Sequence, residues 1–236
     1  MKLTRVVLVA VTLSLGGCGC ETVKSADIKT SGLYADLKAD AAGGGQVKVK
    51  ATLTLGSGSL TFLELSPGDT FTATVGDTSR AMSRQSLFGS TWYEANFDGD
   101  AANTPVKISL LRTSDTGAPE STVTLPSPFA FTAPVTGQAF PRSAGVTVTW
   151  NNASPSDPMR LSASGSCIQS VDVPASSDTG THTFPSFVPQ NGSETKTCDV
   201  AITLVRSRPG SVDPAYGKGG AFVATVTRSL TISSTP

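Results

Sequence analysis

The sequence predicts an all-β protein made of two tandem antiparallel β-sandwich-like domains. Three observations predict it. Apolar residues recur at a period of two in short runs, clearest where Val47, Val49, Ala51, Leu53 and Leu55 alternate with Lys48, Lys50, Thr52 and Thr54. Clusters of Gly, Pro, Asn, Asp and Ser separate these runs every ten residues or so. Beyond the first twenty residues, no window of ten or more keeps apolar positions at helical spacing.

In chain order, Gly32 to Lys38 is a modest first strand, and the glycines at 43–45 make a flexible connection into Val47–Leu55. Gly56-Ser57-Gly58-Ser59 turns the chain back into Leu60–Leu65, predicted as the second arm of a hairpin. Ser66-Pro67-Gly68-Asp69 is a strong turn, because Pro presets φ and Gly accepts positive φ. Strands follow at Thr70–Val75, Thr91–Phe97 and Val106–Arg112, with Ser121–Leu125 as a closing edge strand; Arg80–Leu87 alternates too weakly to place. Pro126-Ser127-Pro128 marks the domain boundary, since prolines cannot occupy a central strand. The pattern then restarts at Phe129–Thr132, Val146–Trp150, Met159–Ser166, Val171–Val173, Thr181–Phe187, Lys196–Val205 and Ala221–Ile232. Seven short segments with turn signals between them fit a sandwich.

The N-terminus is of another kind. Lys2 and Arg5 precede an uncharged apolar run, Val6 to Leu15, which is too short to span a ~30 Å hydrocarbon core. A basic start, a short apolar centre and small residues at its end read as a secretory signal. Leu15-Gly16-Gly17-Cys18 resembles the lipobox of bacterial lipoproteins. That resemblance implies cleavage after residue 17, acylation of Cys18, and anchorage of the body to the cell envelope. Gly19 after the modified cysteine implies the outer membrane. The expected organisation is therefore a signal peptide at 1–17, a lipidated tether at 18–31, an N-terminal β domain at 32–126 and a C-terminal domain at 127–236. The chain as a whole resembles envelope lipoproteins of Gram-negative bacteria.

Export permits disulfides, and Cys167 is paired with Cys198 across a loop of about 32 residues, worth about 3–4 kcal/mol on the chain-entropy model. Cys20 is left over. Trp150 ending one strand and a disulfide between later strands resemble an immunoglobulin- or fibronectin-type domain in architecture, although the cysteine spacing is not the antibody one.

Composition narrows function. Acidic and basic residues are equal in number, and loss of Lys2 and Arg5 leaves a body with a net charge of about −2. With no basic run there is no provision for phosphate contacts, so nucleic acid is not an expected partner. His182 is the single histidine and no Gly-x-Ser-x-Gly elbow exists, which leaves neither a zinc cage nor a hydrolase triad of familiar form. No cofactor is expected. Asp98, Asp100 and Asn103 are hard oxygen donors of the sort calcium takes, in a loop without the EF-hand pattern, so no metal site is assigned. Trp92 and Tyr93 are adjacent in a strand and point to opposite faces, one inward and the other free to meet a ligand. Arg206 and Arg208 lie in a connection and are expected to be solvated. The reading that follows is a lipid-anchored envelope protein with a non-catalytic module binding a protein or glycan. A hydrolase assembled from dispersed Ser, Asp and Glu is the alternative.

Overall fold

The computed structural model describes residues 21–192 and 195–236. The leader, Cys18 and Cys20 lie outside the described residues. Among the described residues the regular structure is strand apart from two short 3-10 turns. The first half holds β1 (Glu21–Lys24), β2 (Tyr34–Gly43), β3 (Gln46–Thr54), β4 (Thr61–Glu64) and β5 (Thr70–Val75). It continues with β6 (Thr78–Ala81), β7 (Ser83–Leu87), β8 (Ser90–Asp98), β9 (Pro105–Leu111) and β10 (Ala118–Thr124). The second half holds β11 (Phe131–Ala133), β12 (Ala139–Pro141), β13 (Val146–Trp150) and β14 (Met159–Gly165). It ends with β15 (Ile168–Ala175), β16 (Thr181–Phe184), β17 (Cys198–Pro209) and β18 (Gly220–Thr235).

The expected alternation governs the core. Val47, Val49, Ala51 and Leu53 of β3 are buried, as are Tyr93, Ala95 and Phe97 of β8. Two sandwich-like units result, but they share a sheet. Its order is β1-β4-β3-β2-β18-β17-β14-β15, with β8 also on β3, β7 on β8 and β12 on β18. A four-stranded sheet, β10-β9-β5-β6, and a three-stranded one, β11-β13-β16, complete the two units. The link is β18. It holds an unbroken register with β17, from Cys198 opposite Ser234 to Pro209 opposite Val223. Its first part also runs parallel to β2, from Gly220 opposite Ala35 to Val226 opposite Ala41. Phe222, Ala224, Val226, Leu230 and Ile232 are all buried and all on one side of the strand, so a single apolar cluster spans both units.

The units on either side of the expected boundary are thus joined by the β2–β18 ladder, and the linker between them is covered by a polar seam. Phe129 lies between two guanidinium groups, Arg206 at 4.7 Å and Arg228 at 5.9 Å from its ring centre. Arg206 is fully buried, paired with the fully buried Asp178, and donates to the carbonyls of Ser127 and Asn152. Arg208 binds both oxygens of Asp157 and donates to Asn103 Oδ1 and the Leu125 carbonyl. These arginines are not the solvated loop charges expected. The planar guanidinium fork can be buried where carboxylates and carbonyls receive its donors, and here they fasten the linker onto the shared sheet.

Three further features differ from the sequence expectation. Residues 21–31, expected within a tether, are built into the body: β1 pairs in parallel with β4, and Ser25 and Thr30 are buried. β4 meets β3 at one register pair, Thr54 opposite Phe62, so it is not the arm of a regular hairpin. β8 takes the edge of β3 instead, from Gln46 opposite Asp98 to Ala51 opposite Tyr93, and brings two buried rings to the core. Finally, β6 and β7 occupy 78–87, where alternation was absent because neither strand buries a face.

Candidate functional site

The site is a groove on the solvent face of the shared sheet, beside the β7–β8 hairpin. That hairpin closes through two residues, Phe88 (φ 48°) and Gly89 (φ 83°), between the paired Leu87 and Ser90. Two positive φ values make the tight turn whose twist suits antiparallel strands. Glycine takes this conformation freely. A bulky L-residue does so at a cost of about 1–2 kcal/mol, yet Phe88 is 92% exposed and buries nothing in return.

Strand parity sets the rest. Tyr93 faces inward, its ring 5.1 Å from Phe71, and its hydroxyl accepts the Leu65 N–H at 2.7 Å. Burial above all pushes its phenol pKa up. Trp92 therefore faces outward and is half-buried. Its Nε1–H donates to Glu94 Oε2 at 3.1 Å, which fixes the indole, and the Lys50 ammonium lies 4.6 Å from the ring centre. Asp36 and Thr52, register partners on β2 and β3, continue the floor. With Phe62 of β4 and Phe88 of the turn they line a groove of about 500 Å³. A fixed indole flanked by a carboxylate, an ammonium and a hydroxyl can stack on an apolar face while hydrogen-bonding the groups around its rim.

The other residues singled out by sequence do not join this groove. Asp98 and Asp100 are drawn to separate arginines, Arg80 at 3.7 Å and Arg228 at 3.5 Å, and Asn103 accepts from Arg208 at 2.8 Å. Their oxygens serve as ion-pair and hydrogen-bond acceptors. Among the described residues, no group of three or more His, Cys, Asp or Glu side chains is placed to hold a metal. His182 lies on β16 opposite the buried Val148, edge-on to Phe184 at 4.8 Å. Its Nε2 is buried with no hydrogen-bond partner, and burial lowers its pKa. Cys167 and Cys198 form the expected disulfide, which ties the β14–β15 turn to the start of β17 with Cα atoms 5.9 Å apart.

Phe88, Phe62, Lys50 and Asp36 escaped the sequence reading. Phe88 alone left a signal there: Phe-Gly between two short polar runs occupies the place where Asn-Gly or Asp-Gly is usual in a two-residue turn.

No protein-family profile matches the chain, and no curated protein matches it in sequence. Among solved structures it is similar to the fibronectin(III)-like modules of Clostridium thermocellum CbhA, at 11% identity over 86% of this chain and 90% of that one, with a TM-score of 0.27. It is also similar to a two-domain fibronectin type-III segment of chicken tenascin, at 13% identity over 84% and 98%, with a TM-score of 0.22. A third similarity is to Bacteroides ovatus SGBP-B of a mixed-linkage glucan utilization locus, in complex with a heptasaccharide. The identity there is 10% over 96% and 70%, with a TM-score of 0.20. At such scores nothing about this chain's ligand follows from them. Its class is set by its own geometry: an all-β protein of two sandwich-like units on a common sheet, with an open aromatic groove.

Proposed function

We propose that this protein is a lipid-anchored cell-envelope protein, held at the outer membrane through Cys18, whose body is a non-catalytic module that binds a glycan in the Trp92 groove. The observation that carries this reading is the outward indole, fixed by Glu94 and flanked by Lys50, Asp36 and Thr52 on the outer sheet face. Sugar rings offer C–H faces to an aromatic plane and hydroxyls to charged neighbours, and this groove supplies both kinds of contact. The Lys50 side chain is long and flexible, so it can leave the indole for a ligand hydroxyl at the cost of a cation–π contact of about 0.5–1 kcal/mol.

The test is affinity electrophoresis of the intact protein through gels containing neutral polysaccharides: β-glucan, xylan, mannan and dextran. At least one should retard it, Trp92→Ala should weaken retardation tenfold or more, and Trp92→Phe should keep most of it. If none retards the protein, or if Trp92→Ala binds as well as the parent, the glycan reading is wrong. Cross-linking in native membranes from position 92 would then show whether the groove holds a protein instead.

A further inference from the structure

The strand register brings three exposed apolar side chains to the end of the sheet where the described chain begins. Glu21 donates its N–H to the Leu60 carbonyl at 3.2 Å, and β1 leaves that end in parallel with β4, with Glu21 opposite Thr61. Phe62 pairs with Thr54. On the other stretch of β3, Ala51 pairs with Tyr93, three residues from Thr54 and from Ser90 respectively. Ser90 closes on Leu87 across the Phe88-Gly89 turn. The start of β1, the start of β4 and the hairpin tip thus lie at one height, and Phe62, Leu87 and Phe88 border the same groove. Leu60, Leu87 and Phe88 are 59%, 58% and 92% exposed. Half of the six large apolar side chains exposed among the described residues therefore gather there; Leu111, Val135 and Val188 are the others.

We infer that this end faces a lipid bilayer, with Leu60, Leu87 and Phe88 resting in its interfacial layer. The inference rests on the Cys18-anchored reading. Cys18 precedes Glu21 by three residues, a reach of at most about 10–11 Å even when fully extended. Since β1 fastens the chain from residue 21 onward, no long tether lifts the body away. An acylated Cys18 holds the hairpin tip close to the headgroups whatever the rest of the protein does. Apolar side chains at that height leave water for the acyl boundary, where each buried methylene is worth about 0.8 kcal/mol. This also accounts for the placing of a bulky ring on a strained turn: the turn projects Phe88 beyond the sheet, where an Asn or Gly would reach nothing. The acyl chain and the three side chains together form a multi-point attachment that fixes the orientation of the sheet, not merely its distance from the membrane.

The test uses the full-length protein purified from membranes and reconstituted in phosphatidylcholine vesicles, with acyl chains either ordinary or brominated. Phe88→Trp and Leu60→Trp are each compared with the parent, whose own tryptophans are Trp92 and Trp150. Gln46→Trp, at the opposite end of β3, is the control. The emission added at 88 and at 60 should fall at least twofold in brominated lipid, while that added at 46 should not change. Unquenched emission at 88 and 60 in protein whose Cys18 peptide carries acyl mass would overturn the inference and leave the anchor standing. Equal quenching at 46 would overturn it too, because the sheet would then lie flat. Absence of acyl mass on Cys18 would remove the anchor reading, and this inference with it.

Discussion

Arg112 Nε lies 3.3 Å from a carboxylate oxygen of Asp69, and both side chains are only 1% exposed. Around this pair the chain's first described residues are fastened to the body. Arg112 donates to the carbonyls of Ser25 and Ile28, to Thr30 Oγ1 at 2.9 Å and to Asp115 at 3.4 Å. Asp69 accepts from the Ser25 hydroxyl at 2.7 Å and from the Thr113 N–H at 2.8 Å. Breaking a buried ion pair by removing one partner leaves the other charge uncompensated, which costs about 3–5 kcal/mol. Arg112→Met should therefore lower the urea midpoint by that equivalent. It should also free residues 25–32, so that trypsin cuts after Lys24 and Lys29 well before the body is digested. Unchanged cleavage there would mean that β1 alone secures the segment.

Acid should act through the same pair and through Asp157. Burial opposes ionisation of Asp69, but hydrogen bonds from Thr113 and Ser25 and the Arg112 charge outweigh it and hold its pKa below the ordinary carboxyl value. Asp157 is likewise desolvated, and its pKa is lowered on balance by Arg208 and Ser154. Each carboxyl binds its proton less tightly folded than unfolded. Their stabilisation is complete above the unfolded value of about 3.9 and disappears as pH falls through the folded values. Urea midpoints measured from pH 2 to 5 should drop toward acid, and Asp157→Asn should flatten that drop.

A second pH window belongs to His182. Burial lowers its folded pKa, so the unfolded chain takes up a proton first, and stability declines as pH falls below about 6.5. Its Nε2 makes no hydrogen bond to offset that burial. His182→Leu should remove the slope between pH 5 and 7 and raise the melting temperature most at pH 5. A variant that melts lower than the parent at every pH would show that the ring's packing against Phe184 outweighs the buried nitrogen.

The Cys167–Cys198 disulfide closes a loop with a sequence separation of 31. On the chain-entropy model this is worth about 3–4 kcal/mol. The Cys167→Ser/Cys198→Ser double variant should lose that much in urea unfolding, and reductant should have no further effect on it.

Gly220 stands where the two units join. A Cβ there would collide with the Ala35 carbonyl oxygen in the β2–β18 ladder. Gly220→Ala should cost about 1–3 kcal/mol by overpacking. The loss should appear as faster amide exchange along 35–41 and 220–226, with β13 and β16 unaffected. Uniform acceleration across the protein would mean that both units unfold together.

What the sequence determined by itself was local. Period-two alternation assigned β3, β5, β8, β9 and β13 and their buried faces, because parity along a strand is fixed by the pleat. The same parity sent Trp92 and Tyr93 to opposite faces, and two cysteines left for the body named the disulfide. The tertiary structure decided what parity cannot carry, namely which strands are neighbours. The single sheet through both units depends on β18 pairing in parallel with β2, a contact spanning some 185 residues. The burial of Arg206 and Arg112, and the partial burial of Arg208, depend on carboxylates supplied from elsewhere in the chain: Asp178, Asp69 and Asp157 respectively. The groove likewise draws on five strands and a turn, so Lys50, Asp36, Phe62 and Phe88 had no common signature until register brought them together. A strand's own residues fix which side is wet and which is dry; its partners are fixed only by the closing of the whole sheet.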